Sequence, residues 1–249
     1  MTALLQTEGL QKSFGAVVAA KDISVAARRG ERLGLIGNNG AGKTTFVNIV
    51  TGYLRPDAGR VVLDGGDITG LAPRRVRRQG VSRSFQIPQL FATLTPEENL
   101  LMALGIADEK GMSAWRPARS GAMMAGLEDL LERFRLGEYR HHTIAALPGG
   151  VRKLVDIAMA VTHQPKLLLL DEPSSGVAAE EKFPLMDVIM RALEGSDATV
   201  IFVEHDMEIV GRYAERVLAF YEGRVIADGT PAVVLGNAEV QRYVTGVAP

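Results

Sequence analysis

The chain has 249 residues, 47% hydrophobic and 23% charged, with a net charge of −1 and no cysteine. That length and apolar share can bury a sizeable core, as one large domain or one domain carrying a lobe. The near-zero charge gives no global field for steering to nucleic acid or an anionic bilayer, and the missing cysteines exclude disulfides and thiolate metal sites. No apolar run approaches the ~20 residues of a membrane span, and Met1-Thr2-Ala3-Leu4 shows no basic region followed by a long apolar stretch. A soluble intracellular chain without a secretory leader is expected.

Leu4 to Leu10 and Asp22 to Ala27 predict short strands, and Arg32-Leu33-Gly34-Leu35-Ile36 predicts a buried one. The next eight residues, Gly37-Asn38-Asn39-Gly40-Ala41-Gly42-Lys43-Thr44, fit G-x-x-x-x-G-K-[ST], and Thr45 to Val50 predicts the helix that follows. A phosphate-binding loop requires that strand-loop-helix context. Glycines let the backbone curl so that several N–H groups point at one anion, and the helix N-terminus adds about half a positive charge there. Lys43 can then reach β- and γ-phosphates, and the Thr44 hydroxyl can ligate Mg²⁺.

Gly59 to Gly66 follows Arg55-Pro56-Asp57 as a turn-strand-turn pattern. Arg74, Arg75, Arg77 and Arg78 form a basic run on a short helical pattern. It has no interleaved aromatics, so a solvated face is expected and not a nucleic-acid patch. Strand-like runs recur at Gly80 to Phe85, Lys166 to Leu170, Thr199 to Val203 and Arg216 to Phe220, with helical patterns at Arg152 to Thr162 and Lys182 to Leu193. Strands alternating with helices predict a largely parallel α/β sheet. The segment from about Pro96 to Ala146 breaks that rhythm: it is rich in Met, Ala and Leu and carries a loop around Gly111 to Ser120. It reads as a helical lobe inserted into the α/β core.

Several polar residues sit at ends of these runs. Leu167 to Leu170 predicts a central strand from whose C-terminal end Asp171 and Glu172 emerge, where open α/β sheets place their ligands. Asp171 there can hold Mg²⁺, directly or through water, and Glu172 can polarise a water for in-line attack on a γ-phosphate. His205 ends the Thr199–Val203 run, where an imidazole can hydrogen-bond a γ-phosphate and sense its loss. His141 and His142 fall in a polar stretch and read as solvated. Gln86 ends another strand-like run, from where a glutamine can reach Mg²⁺ or an attacking water, although a glutamine alone carries almost no signal. Leu147-Pro148-Gly149-Gly150-Val151 precedes a helix predicted to start near Arg152. Its two glycines offer a second anion site, which a nucleotide sandwiched between two copies of the chain would explain; a glycine-rich helix entry without a ligand would look the same.

Taken in order, these pieces resemble the ATP-binding subunit of an ABC transporter over nearly the whole chain. Gly37 to Thr45 is similar to the Walker A motif, Gln86 to the Q-loop glutamine, and Leu147 to Val151 to the LSGGQ signature. Leu167 to Glu172 is similar to Walker B with its catalytic glutamate, and His205 to the switch histidine. The resemblance implies an α/β fold: a P-loop ATPase core with a mostly parallel sheet, an N-terminal antiparallel β subdomain and an inserted helical subdomain. It implies one ATPase domain over residues 1–249, with the helical subdomain at about 96–164. ATP and Mg²⁺ are the implied cofactors. Phe14 takes the place of an aromatic that stacks on adenine; Gly37, Asn38, Asn39, Gly40, Ala41, Gly42, Lys43, Thr44 and Thr45 hold phosphates, and Pro148, Gly149 and Gly150 face a partner's nucleotide. Thr44, Gln86 and Asp171 would serve the metal, and Glu172, His205 and Gln86 the chemistry.

Ser84-Phe85-Gln86, Leu94-Thr95-Pro96-Glu97-Glu98-Asn99-Leu100, the helical insertion and the tail Gly223 to Pro231 resemble ATP-binding subunits of branched-chain (hydrophobic) amino acid importers. Urea and short-chain amide importers share much of this pattern, and the lipopolysaccharide-export ATPase does so more distantly. The implied partners are a second ATP-binding subunit, identical or homologous, transmembrane permease subunits near Gln86, Phe91 and Leu94, and indirectly a solute-binding protein, with no nucleic acid. The implied location is the cytoplasmic face of the inner membrane, held peripherally. Three departures stand out: Pro148 replaces the signature serine, Val151 its glutamine, and Ser174-Ser175-Gly176-Val177-Ala178 stands where many relatives carry Ser-Ala-Leu-Asp. An active ATPase with altered affinity or coupling is expected. The rivals are a soluble ABC-type ATPase acting on the ribosome or DNA, and a P-loop kinase. The first is disfavoured by a single phosphate loop, no heptads and no cysteines; the second would need an acceptor pocket and no ATP-dependent dimer.

Overall fold

A computed structural model describes residues 3–107 and 120–246, and the loop expected at Gly111 to Ser120 lies outside the described residues except for Ser120. The chain separates into two compact units. The first comprises residues 1–82, 166–172 and 197–249, and the second residues 83–165 and 173–196.

The first unit opens with two long strands, β1 (Ala3–Phe14) and β2 (Val17–Arg28), paired antiparallel. Both run well beyond the short strands that hydropathy predicts. The reason lies in a double irregularity: Gly9 and Asp22 adopt left-handed φ of 57° and 56°, and the register shifts between Thr7 and Leu10. Inward positions therefore move from Leu5 and Thr7 to Leu10 on β1, and from Ala20 to Ile23, Val25 and Ala27 on β2. A pattern of period two cannot follow a strand through a bulge. β1 also pairs antiparallel with β4 (Ala58–Leu63), and β5 (Gly66–Asp67) completes this sheet in the order β2-β1-β4-β5.

The second sheet runs β10-β9-β3-β8-β7-β6. Here β3 is Arg32–Gly37, β6 Val81–Ser84, β7 Leu167–Asp171, β8 Thr199–Val203, β9 Arg216–Tyr221 and β10 Arg224–Gly229. β3 pairs parallel with β8 and β9, and β7 parallel with β8; β10 returns antiparallel on β9. The central strands are apolar on both faces, as parallel strands covered on two sides require. α1 (Lys43–Val50) buries Phe46, Val47, Ile49 and Val50 into a core shared with Leu5, Leu10, Leu35, Leu169 and Ile201. α2 (Pro73–Arg78) buries only Val76 and exposes Arg74, Arg75, Arg77 and Arg78.

Among the described residues of the second unit, the regular elements are helices apart from the end of β6. α3 (Pro96–Ala107) starts with a capping box in which Thr95 and Glu98 satisfy each other's amides, at 2.8 and 3.2 Å. α4 (Gly121–Arg133) is capped by Ser120, whose hydroxyl accepts from the Met123 amide at 3.2 Å. α5 (Gly149–Val161) and α6 (Ala179–Ala192) complete the set. α5 begins three residues earlier than its hydropathy predicts. Pro148 sits at its N-cap with φ −55°, so Gly149 and Gly150 form the first turn instead of preceding it. α7 (Met207–Tyr213), α8 (Pro231–Leu235) and α9 (Ala238–Val240) belong to the first unit.

Leu169, 1% exposed in β7, is among the residues of the first unit's core. Leu169→Ala should lower unfolding free energy by about 2–5 kcal/mol, while exposed Met102→Ala stays within about 0.5 kcal/mol of the native chain; urea denaturation followed by circular dichroism measures both.

Candidate functional site

The strands of the first unit end level with one another. Leu35 of β3 stands opposite Val203 of β8, which in turn stands opposite Asp171 of β7. Three segments therefore leave the sheet at one edge: the glycine-rich loop after Gly37, the carboxylates Asp171 and Glu172, and the turn carrying His205.

The loop Gly37–Gly42 curls into the start of α1, with Asn38, Asn39 and Gly40 exposed and Ala41 and Gly42 buried. Gly42 sits at the N-cap with φ 106° and no side-chain cap. A Cβ there would lie 2.6 Å from the Ala19 carbonyl oxygen and 3.1 Å from the Cα of Gly223. Gly223 belongs to the tight turn between β9 and β10, with Glu222 and Gly223 both at positive φ. Its amide donates to the Ala41 carbonyl at 2.9 Å, and its carbonyl accepts from the Lys21 amide at 2.7 Å. One hairpin turn thus clamps the phosphate loop against β2 by backbone bonds alone. On the other flank the Asn38 side-chain amide donates to the Tyr243 carbonyl at 2.6 Å, and the Tyr243 ring stacks on Tyr221 at 4.7 Å. Sequence reasoning missed both clamps. A Glu-Gly pair between two strand-like runs signals the first turn; nothing local signals Tyr243.

Lys43 is 5% exposed, and its ammonium donates to the carbonyls of Gly37 at 2.5 Å and Asn38 at 3.1 Å. Burial pushes its pKa down, against the pull of the Glu172 and Asp171 carboxylates. A cation held in the loop, with two carboxylates acting on it, is suited to a ligand rich in oxyanions. Thr44 and Thr45 occupy the first turn of α1, Thr44 exposed.

Glu172 leaves β7 with φ 48°, its amide donating to the Val203 carbonyl at 3.0 Å. A left-handed non-glycine residue costs about 1–3 kcal/mol and is held only where its surroundings impose it. The His205 Nε2 lies 2.9 Å from Glu172 Oε1, so the ring donates to the carboxylate there. The two residues predicted to act on the same phosphate are joined in one pair. Phe14, half exposed at the end of the β1–β2 hairpin, stands opposite Val17, with the Lys12 ammonium 5.8 Å from its ring centroid. Val17 and Val18 are exposed beside it, and the next residue, Ala19, is the one that abuts Gly42.

Gln86, Pro148, Gly149 and Gly150 belong to the second unit. Gln86 is exposed in the segment after β6, and its backbone carbonyl accepts from the Lys153 ammonium at 3.2 Å. No side chain caps the start of α5 at Pro148. A Cβ on Gly149 would come within 3.4 Å of the Gly176 carbonyl oxygen, and one on Gly150 within 3.8 Å of Val177. The departure Ser174–Ala178 therefore packs beside the signature-like glycines. Ile87 and Phe91 expose their side chains, and Leu94 is half-buried. His141 is 80% exposed in its side chain, with Nδ1 3.7 Å from Glu97. The described residues hold no group of three metal-ligating side chains. The oxygen donors at the edge of the first unit's sheet, Thr44 hydroxyl and Asp171 carboxylate, are the hard, sparse set that suits Mg²⁺ shared with phosphates.

Gly40, also left-handed at φ 80°, meets nothing within 4 Å, whereas Gly42 meets backbone on two sides. Gly40→Ala should therefore cost about 1–3 kcal/mol for its left-handed backbone alone and Gly42→Ala clearly more, read as the difference between their thermal midpoints.

Residues 20–175 match the family model described as "ABC transporter". The high-affinity branched-chain amino acid transport ATP-binding protein LivG of Salmonella typhimurium is 34% identical over 252 residues, spanning 98% of each chain. BraF of Pseudomonas aeruginosa, a high-affinity branched-chain amino acid transport ATP-binding protein, is 32% identical over 98% of each chain. Among solved structures, the ATP-binding cassette MJ1267 in its ADP conformation superposes with a TM-score of 0.86 at 30% identity, covering 98% of each chain. The chain belongs to the ATP-binding cassettes of the ABC transporter family.

Proposed function

We propose that this chain hydrolyses ATP as the nucleotide-binding subunit of an importer for branched-chain amino acids, or for related small hydrophobic or amide solutes. The observation that carries the reading is the pairing of Glu172 with His205 at the sheet edge where the phosphate loop ends. The full-length similarity to LivG and BraF supports the solute class. The family match runs through both compact units, which supports one ATPase domain over residues 1–249.

In this reading the loop amides from Gly37 to Thr45 and the Lys43 ammonium hold the phosphates, and Phe14 stacks on the base. Bound phosphate oxygens give Lys43 an anionic partner in place of the Gly37 and Asn38 carbonyls. Glu172 accepts a proton from the attacking water. His205, hydrogen-bonded to Glu172, orients that carboxylate and faces the γ-phosphate. Thr44 and Asp171 would hold Mg²⁺, which would neutralise charge on the phosphate oxygens when bound. Gly149 and Gly150 of a second cassette, identical or homologous, cap the same γ-phosphate, so nucleotide joins the two subunits and hydrolysis releases them. Pro148 contributes no hydroxyl there, leaving the contact to backbone amides. Permease subunits dock by Gln86, Ile87, Phe91 and Leu94, which places the chain peripherally on the cytoplasmic face of the cell membrane, with a solute-binding protein delivering substrate from the other side. Among the described residues no helix is long and apolar enough to cross a membrane.

Glu172→Gln should lower ATP turnover by about 10²–10⁴-fold and double the solution mass when Mg-ATP is added, measured by light scattering on a sizing column. Turnover at the native rate removes Glu172 as the base, and a strictly monomeric protein removes the shared-nucleotide reading. With the neighbouring permease and binding-protein chains reconstituted in vesicles, ATP-driven uptake of labelled leucine is expected to exceed that of urea or amides; the reverse order overturns the solute assignment.

A further inference from the structure

The backbone that carries Gln86 leaves β6 after Ser84, and from there its polar groups have no sheet ladder to join. Buried backbone groups need partners. α5 supplies them from two side chains one turn apart. The Lys153 ammonium donates to the Phe85 carbonyl at 2.7 Å and to the Gln86 carbonyl at 3.2 Å. The Asp156 carboxylate accepts from the Ser84 hydroxyl at 2.5 Å and from the Gln89 amide at 3.0 Å. Lys153 is 3% exposed and Asp156 7% exposed. Burial pushes the Asp156 carboxyl up, and the Ser84 and Gln89 hydrogen bonds and the Lys153 charge pull it back. An oppositely charged i, i+3 pair is rarely sunk this deep on a helix without specific partners. Here every partner named lies in residues 84–89.

The same helix begins with Gly149 and Gly150. At 1.5 Å per residue, Lys153 stands about 5 Å along the axis from Gly150, too short a span for the helix to bend. Residues 84–89 and the glycine amides are thus carried by the first two turns of one helix.

We propose that Lys153 and Asp156 are positioning residues that set where Gln86 is presented and tie that position to the Gly149-Gly150 amides. The pair acts through the segment it holds. This inference rests on the reading that Gln86 and the two glycines serve ATP hydrolysis. It adds a mechanical link between them: a permease that displaces the Gln86 segment displaces the start of α5 with it.

A double-mutant cycle tests the link. Lys153→Met should lower kcat of the full-length chain at saturating Mg-ATP by about 10–100-fold, and Lys153→Arg, which keeps a donor, should restore most of it. Gln86→Ala combined with Lys153→Met should stay within about twofold of Gln86→Ala alone, since both changes remove one presentation. Multiplying effects, or native turnover in Lys153→Met, overturns the proposal. Hydrogen exchange reads the link independently of turnover and of a poorly folding Lys153→Met. Ser84→Ala, which removes one donor to Asp156, should speed exchange in residues 84–89 and 149–152 together; acceleration confined to 84–89 overturns the link. A native chain without ATP turnover refutes the hydrolytic reading alone, and the exchange result still decides the link.

Discussion

Parallel pairing of β7, β8 and β3 brings the candidate site of the first unit into being. Each register is set by a ladder of backbone hydrogen bonds, and the ladders place Asp171, Val203 and Leu35 side by side. Parallel strands whose C-terminal ends are level must release their loops along one edge, so a lysine near position 40 and a carboxylate near position 170 meet without either segment resembling the other. The Glu172 amide takes one more bond, to Val203, and the chain then turns through a left-handed residue. That turn is what a ladder ending on a carboxylate needs if the side chain is to face His205 rather than continue the strand.

The phosphate loop is held by a different means. Loops with exposed amides gain little from packing, and this one is fixed by main-chain bonds from Gly223, by the close approach of Ala19 to Gly42, and by the Asn38 amide on the Tyr243 carbonyl. Such contacts fix the loop's backbone through main-chain groups and one side-chain amide. The buried Lys43 completes the arrangement: burial lowers its pKa, and the Glu172 and Asp171 carboxylates pull it back up.

In the second unit polar side chains do for a loop what the hairpin turn does for the phosphate loop. Asn99, fully buried, accepts from the Phe91 amide at 2.9 Å and donates to the Thr95 carbonyl at 2.9 Å. Ile144 and Ala145 donate to the carbonyls of Leu94 and Ala92 at 2.9 and 3.0 Å. With Lys153 and Asp156 holding 84–89, the stretch from Phe85 to Thr95 is irregular in backbone yet bonded at several points along its length. Ile87 and Phe91 are exposed on this bonded segment.

Much of this was legible in the amino-acid order. The phosphate loop, the carboxylates after four leucines and the polar ends of apolar runs are local patterns, because strand burial and helix capping act over a few residues and leave their period in the sequence. Where the period is interrupted, reading stops short: Gly9 and Asp22 shift the inward face midway, so β1 and β2 run longer than alternation suggests, and Pro148 starts α5 before the apolar face begins. Which residues meet was decided by tertiary structure. Tyr243 reaching Asn38, Gly223 under Gly42, and Lys153 and Asp156 gripping 84–89 join positions 67 to 205 apart through backbone groups. A carbonyl or an amide is present at every residue and carries no signature of its own, so only the folded chain shows which one is used.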